Sequence, residues 1–74
     1  MIKLYGTPTC SYCVKSKMLL NSKGIDYEEV DISQDTSAKQ WILEQGHRTI
    51  PQLYIGEELI PGGYEGLTKY VESR

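Results

Sequence analysis

The two cysteines of this 74-residue chain stand in the segment Cys10-Ser11-Tyr12-Cys13, and their spacing limits the fold more than any other feature. A chain this short fits one domain, taken as residues 1–74. A domain of that size buries only about 60% of the surface its unfolded chain exposes. Thin cores of this kind are often stapled by several disulfides or a metal. A Cys10–Cys13 bridge closes almost no loop, and the constraint a disulfide puts on the unfolded chain grows with loop length. The core must therefore come from ordinary apolar packing, which leaves the two cysteines for chemistry.

Ile2-Lys3-Leu4-Tyr5 alternates and is rich in strand formers, and Gly6-Thr7-Pro8 ends it. A helix is expected from Cys10 or Ser11, with Val14, Lys17, Met18 and Leu20 at helical spacing. Lys23-Gly24 supplies its cationic last turn and left-handed cap. Ile25 to Ile32 reads as a second strand. Asp35-Thr36-Ser37 offers cap residues, and Ser37 with Gln40 has capping-box spacing. Ala38, Trp41, Ile42 and Gln45 then share one side of a second helix that Gly46 ends, which makes Trp41 a packing residue. Leu53-Tyr54-Ile55 and Glu58-Leu59-Ile60 form a hairpin about Gly56-Glu57. Beyond Pro61-Gly62-Gly63 a last helix turns Leu67, Tyr70 and Val71 inward. The order is β-α-β-α-β-β-α, and its first βαβ unit must cross over right-handed. It predicts an α/β, thioredoxin-like fold: a four-stranded mixed β-sheet flanked by three helices.

Net charge is −2, with 39% hydrophobic and 24% charged residues. These values are ordinary for a soluble globular protein and give no global field toward nucleic acid or an anionic membrane. Apolar runs of a few residues fall far short of the roughly 18 that suggest a span. Met1-Ile2-Lys3-Leu4 leads into a strand instead of a secretory signal. The expectations are a cytoplasmic, reducing compartment and neither nucleic acid nor membrane as partner.

A C-x-x-C between a first strand and a helix reads as a redox motif. With Cys10 at the first turn, Cys13 lies three residues on and faces it from the same side. The free amides and positive end of the helix favour a thiolate at Cys10, and the thiolate is the attacking species in disulfide exchange. Cys13 is expected to be less exposed and to resolve the mixed disulfide. Lys15 and Lys17 add positive charge, but on exposed positions. A closed zinc site takes four ligands, and the chain supplies two cysteines and His47. No metal site is expected.

Three segments carry a family resemblance: Gly6-Thr7-Pro8-Thr9-Cys10-Ser11-Tyr12-Cys13, Arg48-Thr49-Ile50-Pro51-Gln52 and Gly62-Gly63-Tyr64-Glu65. In order and near-usual spacing they resemble the signature segments of the glutaredoxins, across essentially the whole chain. The resemblance implies a cis Ile50–Pro51 bond beside the cysteines; an arbitrary X–Pro bond is cis in only about 5–6% of cases, so the family carries that expectation. It leaves the N–H and C=O of Ile50 to pair with an extended peptide, a short β-augmentation, and in glutaredoxins that peptide is the cysteinyl part of glutathione. Gly62-Gly63 would set the amides of Tyr64 and Glu65 at a helix start, where the γ-glutamyl carboxylate binds. Glu65 would face that ligand's α-ammonium group. The implied glutathione-binding residues are Tyr12, Thr49, Ile50, Pro51, Gly63, Tyr64 and Glu65, with Cys10 and Cys13 catalytic.

Three positions depart from the family pattern. Thr7 stands where many members have a lysine, Ser11 where they have proline, and Gly66 where a second acid is common; Pro61 looks inserted. Arg48 is the preferred replacement cation, ahead of His47 and Lys39. The resemblance implies an enzyme that reduces protein disulfides and glutathione mixed disulfides. Glutathione is its co-substrate, with no tightly bound cofactor. A monomer is expected, with disulfide-containing protein clients, ribonucleotide reductase among the candidates. Two rivals remain open: a dimer holding a [2Fe–2S] cluster through Cys10 and glutathione, and a ribonucleotide reductase hydrogen donor reduced by thioredoxin reductase.

Overall fold

The computed structural model describes residues 1–73. Its elements are β1 (Ile2–Gly6), α1 (Ser11–Ser22), β2 (Tyr27–Asp31), α2 (Thr36–Glu44), β3 (Gln52–Ile55), β4 (Glu58–Ile60) and α3 (Gly63–Glu72). The sheet order is β2-β1-β3-β4. β1 pairs parallel with β2 and antiparallel with β3, and β3 pairs antiparallel with β4. This is the thioredoxin-like, four-stranded mixed sheet expected from the element order. Among the described residues no helix is long and apolar enough to cross a membrane.

Alternation along each strand divides the core between the two sheet faces. Ile2, Leu4, Leu53 and Ile60 meet Leu20 of α1 and Leu67 and Val71 of α3 on one face. Tyr5 and Tyr54 point the other way and meet Ile42 of α2, with Val30, Ile32 and Ala38 around them. Leu4, Leu20, Leu53 and Leu67 are fully buried, so the centre of the fold is a leucine cluster between the sheet and the α1/α3 pair.

Helix α1 presents a different face from the one its apolar residues suggest. Val14 and Met18 are 38% and 65% exposed, while Cys13, Ser16 and Leu20 are buried. Ser16 can lie inside because its hydroxyl donates to the Tyr12 carbonyl at 2.8 Å, which leaves no polar group unpaired. Helix α2 starts on Asp35, whose Oδ1 accepts the Ala38 N–H at 3.0 Å. The Ser37/Gln40 box does not form, and Gln40 reaches Glu44 instead. Trp41 lies flat against Tyr5 at 5.4 Å and edge-on to Tyr54 at 5.0 Å, so it packs at the margin of the core as expected. β2 is shorter than the 25–32 segment: the Ile25 N–H turns back to the Leu20 carbonyl at 3.0 Å, and Ile32 closes the strand with its N–H on the Gly6 carbonyl at 3.0 Å.

Candidate active site

β1 ends at Gly6, and Thr7-Pro8-Thr9 carries the chain to Cys10, which caps α1 in an extended conformation. Helices usually place a side-chain oxygen at this position. Here the Cys10 Sγ accepts the Cys13 N–H at 3.4 Å, so a sulfur meets the orphan amides of the first turn. Partial burial works against the Cys10 thiolate. Bonds from the Cys13 thiol and from the amides of Cys13 and Tyr12 outweigh it and hold Cys10 below the ordinary thiol value of 9.0. The sulfur also lies 3.9 Å from the Ile50 carbonyl, which a thiol proton can reach.

Cys13 is fully buried. Burial first, then its bond to Cys10 and the charge there, push its thiol up to about 12, against smaller opposing effects of the Thr7 backbone and Lys17. Its pocket exists because residue 6 is glycine: a Cβ at Gly6 would lie 2.3 Å from the Cys13 Sγ. Both cysteines are free thiols. The helix start therefore separates an easily ionised outer sulfur from a protonated inner one.

Of the two nearby lysines, Lys15 rests over the Tyr12 ring, its Nζ 4.9 Å from the centroid. Lys17 departs from the expectation of an exposed cation: its side chain is only 20% exposed and its Nζ meets Glu29 Oε2 at 2.6 Å.

A groove of about 390 Å³ opens beside the cysteine loop. Tyr12, Thr49, Ile50, Pro51, Gly63, Tyr64 and Glu65, the seven residues proposed from three distant segments, all line it. The Ile50–Pro51 bond is cis. Among the described residues the Ile50 N–H has no partner, and its carbonyl meets only the Cys10 thiol. The loop is pinned from below, where Gln52 Nε2 donates to the Thr49 carbonyl at 2.8 Å. On the far wall Gly62 and Gly63 take positive φ values of 95° and 60° and start α3, and the Tyr64 ring lies 5.9 Å from that of Tyr12.

Two of the departures from the family pattern, Gly66 and Pro61, share a steric basis. A Cβ at Gly66 would sit 1.6 Å from the Pro61 carbonyl oxygen, so an acid cannot stand there while Pro61 holds its place. The missing acid and the extra proline are one packing solution. Arg48 and Lys39 line a separate cleft of about 240 Å³ against α2 and stay off the groove. His47 reaches both spaces and is held by the Tyr54 hydroxyl at 2.6 Å. Gly6 and Gln52 were not foreseen as site residues. A glycine at a strand end directly before the motif was the available signal for the first; the second is visible only in its bond.

A glutaredoxin family model matches residues 2–60 of the chain. The hybrid peroxiredoxin hyPrx5 of Haemophilus influenzae is 36% identical over 69 residues, 93% of this chain but 28% of that protein, so the chain spans little more than a quarter of it. Glutaredoxin 3 of Escherichia coli is 32% identical over 62 residues, 82% of this chain and 75% of that one. Among solved structures, NrdH-redoxin from Escherichia coli superposes with a TM-score of 0.83 at 21% identity, over 97% of this chain and 91% of that one. A buckwheat glutaredoxin–glutathione complex gives 0.80 at 22% identity, over 97% and 68% respectively. At these identities the two structures speak to the fold alone.

Proposed function

The chain belongs to the glutaredoxin family and is a thiol–disulfide oxidoreductase, and we propose that it draws its electrons from glutathione and reduces protein disulfides and glutathione mixed disulfides. The observation that carries this is the convergence of seven residues from three segments on one groove beside the Cys10 sulfur. The cysteinyl backbone of glutathione would pair with the N–H and C=O of Ile50 across Pro51. Its γ-glutamyl carboxylate would meet the amides of Tyr64 and Glu65 at the start of α3, with Glu65 near the α-ammonium group. Tyr12 and Tyr64 would flank the peptide, and Thr49 would close the loop side. His47 would take the part expected of Arg48 in meeting the glycyl carboxylate, a reading supported by its lining of the groove, which Arg48 does not reach.

In the dithiol route the Cys10 thiolate attacks a client disulfide and forms a mixed disulfide. The Cys13 thiolate displaces the reduced client and closes Cys10–Cys13. Two glutathione molecules then reopen it, leaving glutathione disulfide. In the monothiol route glutathione resolves a glutathionylated Cys10 directly. Cys10→Ser is expected to abolish both activities. Cys13→Ser is expected to keep deglutathionylation and to lose protein-disulfide reduction; equal loss in both variants would refute these roles.

A second reading, a hydrogen donor reduced by a thioredoxin reductase, is favoured by Thr7 and Gly66, which remove two groups through which the family holds glutathione. Supplying the oxidised protein with glutathione, or with that flavoenzyme and NADPH, separates the two readings by which one restores its thiols.

A further inference from the structure

Cys13 must lose its proton before it can displace a product from Cys10, yet its sulfur is fully buried. Water cannot solvate the thiolate there, so groups of the protein must meet its charge. Lys17 stands four residues further along α1, the spacing that puts two side chains on one helix face. Its side chain is partly shielded, 20% exposed, and Glu29 of β2, itself 40% exposed, fixes the ammonium at 2.6 Å. Glu29 lies opposite Leu4 in the parallel ladder and shares its sheet face with Tyr27, which packs into the leucine cluster beneath α1. The titratable groups that act on the pair are Cys10 at the cap of α1 and Glu29 and Tyr27 of β2. Lys15 is engaged by the Tyr12 ring and Asp31 by Ser33. The bond to Glu29 also holds the Lys17 ammonium above its ordinary range, so it stays charged.

We propose that Lys17, fixed by Glu29, is a positioning residue for the resolving step, offsetting the charge that develops on the buried Cys13 sulfur and so speeding closure of the Cys10–Cys13 bridge. This rests on Cys13 being the resolving thiol. In the step, Cys13 gives up its proton, which ends on the departing product, and its thiolate attacks the Cys10 sulfur. The bond from Cys10 to the product sulfur breaks, and the product leaves as a thiolate that takes up a proton. One disulfide replaces another with no external oxidant or reductant, and Lys17 remains an ammonium throughout.

The test is stopped-flow reaction of the reduced protein with one equivalent of a chromogenic aromatic disulfide. The first coloured thiolate released reports attack by Cys10, and the second reports attack by Cys13. Lys17→Met is expected to slow the second release about threefold near neutral pH and to move its pH profile to the alkaline side. Loss of the cation raises the Cys13 thiol further and lowers its thiolate fraction, and the greater nucleophilicity of the more basic sulfur returns part of that loss. The first release is expected to be unchanged, and Lys17→Arg is expected to behave like the parent protein. An unchanged second release in Lys17→Met, or equal slowing of both releases, would overturn the inference while leaving Cys13 as resolver. A parent protein that gives no second release would overturn it together with the resolving role of Cys13.

Discussion

Cys10 and Cys13 are identical side chains on one turn of helix, and their surroundings drive their ionisation in opposite directions. Cys10 is expected to alkylate with iodoacetamide at a midpoint below the ordinary 9.0, with the label found on Cys10 by peptide mapping. The sign for Cys13 is the reverse: its native value lies above 9.0, so the folded protein holds a proton that the unfolded chain gives up. That contribution to stability is complete below pH 9.0 and fades as pH rises toward about 12. Denaturation of the reduced protein across that window should show a loss of stability that Cys13→Ser does not share. Gly6 belongs to the same pocket. Gly6→Ala forces a methyl to within 2.3 Å of the Cys13 sulfur and is expected to cost about 1–3 kcal/mol in denaturant titrations. In a Cys13→Ala background much of that cost should disappear, which a double-mutant cycle reads directly.

Two of the three helices are set by a side-chain contact at their start. Helix α1 begins on a sulfur, which ties its capping to the redox site. Helix α2 begins on Asp35 and has Ile42 as its buried residue. With so little of α2 anchored, Asp35→Ala is expected to cost about 0.5–2 kcal/mol of stability, read as a shift in the denaturant midpoint. Helix α3 contains Gly66, where propensity favours alanine by about 1 kcal/mol. Gly66→Ala is nonetheless expected to destabilise the protein and to weaken glutathione binding in calorimetric titration, because its methyl would displace Pro61, a wall of the groove. The apolar positions of α1 show where sequence patterning stops short. Val14 and Met18 fit a helical stripe, but Cys13 and Ser16 take the inner face because they are small and Ser16 bonds within its own helix.

At the scale of the molecule, four leucines from β1, α1, β3 and α3 fill the centre, and the candidate active site sits on the rim where those same elements end or begin. Leu53→Ala is expected to cost about 2–5 kcal/mol by thermal or denaturant unfolding, a large share of what a domain of this size holds. The sequence alone determined the element order, the mixed sheet and the separation of core from chemistry. Alternation, helical spacing and the breakers Gly6, Gly46 and Pro61 are local signals, and a Cys10–Cys13 pair has too short a loop to act as a staple. The seven groove residues came from the resemblance of three segments to the glutaredoxins, since an X–Pro bond or a Gly-Gly pair does not by itself announce a ligand groove. Only the tertiary structure decided which cations reach the site, since Arg48 and His47 are neighbours in sequence and both line the cleft against α2, yet only His47 also lines the groove. It likewise decided that Gly66 answers to Pro61 and that Lys17 turns to pair with Glu29. These outcomes depend on distances between segments far apart in the chain or on which way a side chain turns, and no spacing rule along the sequence encodes either.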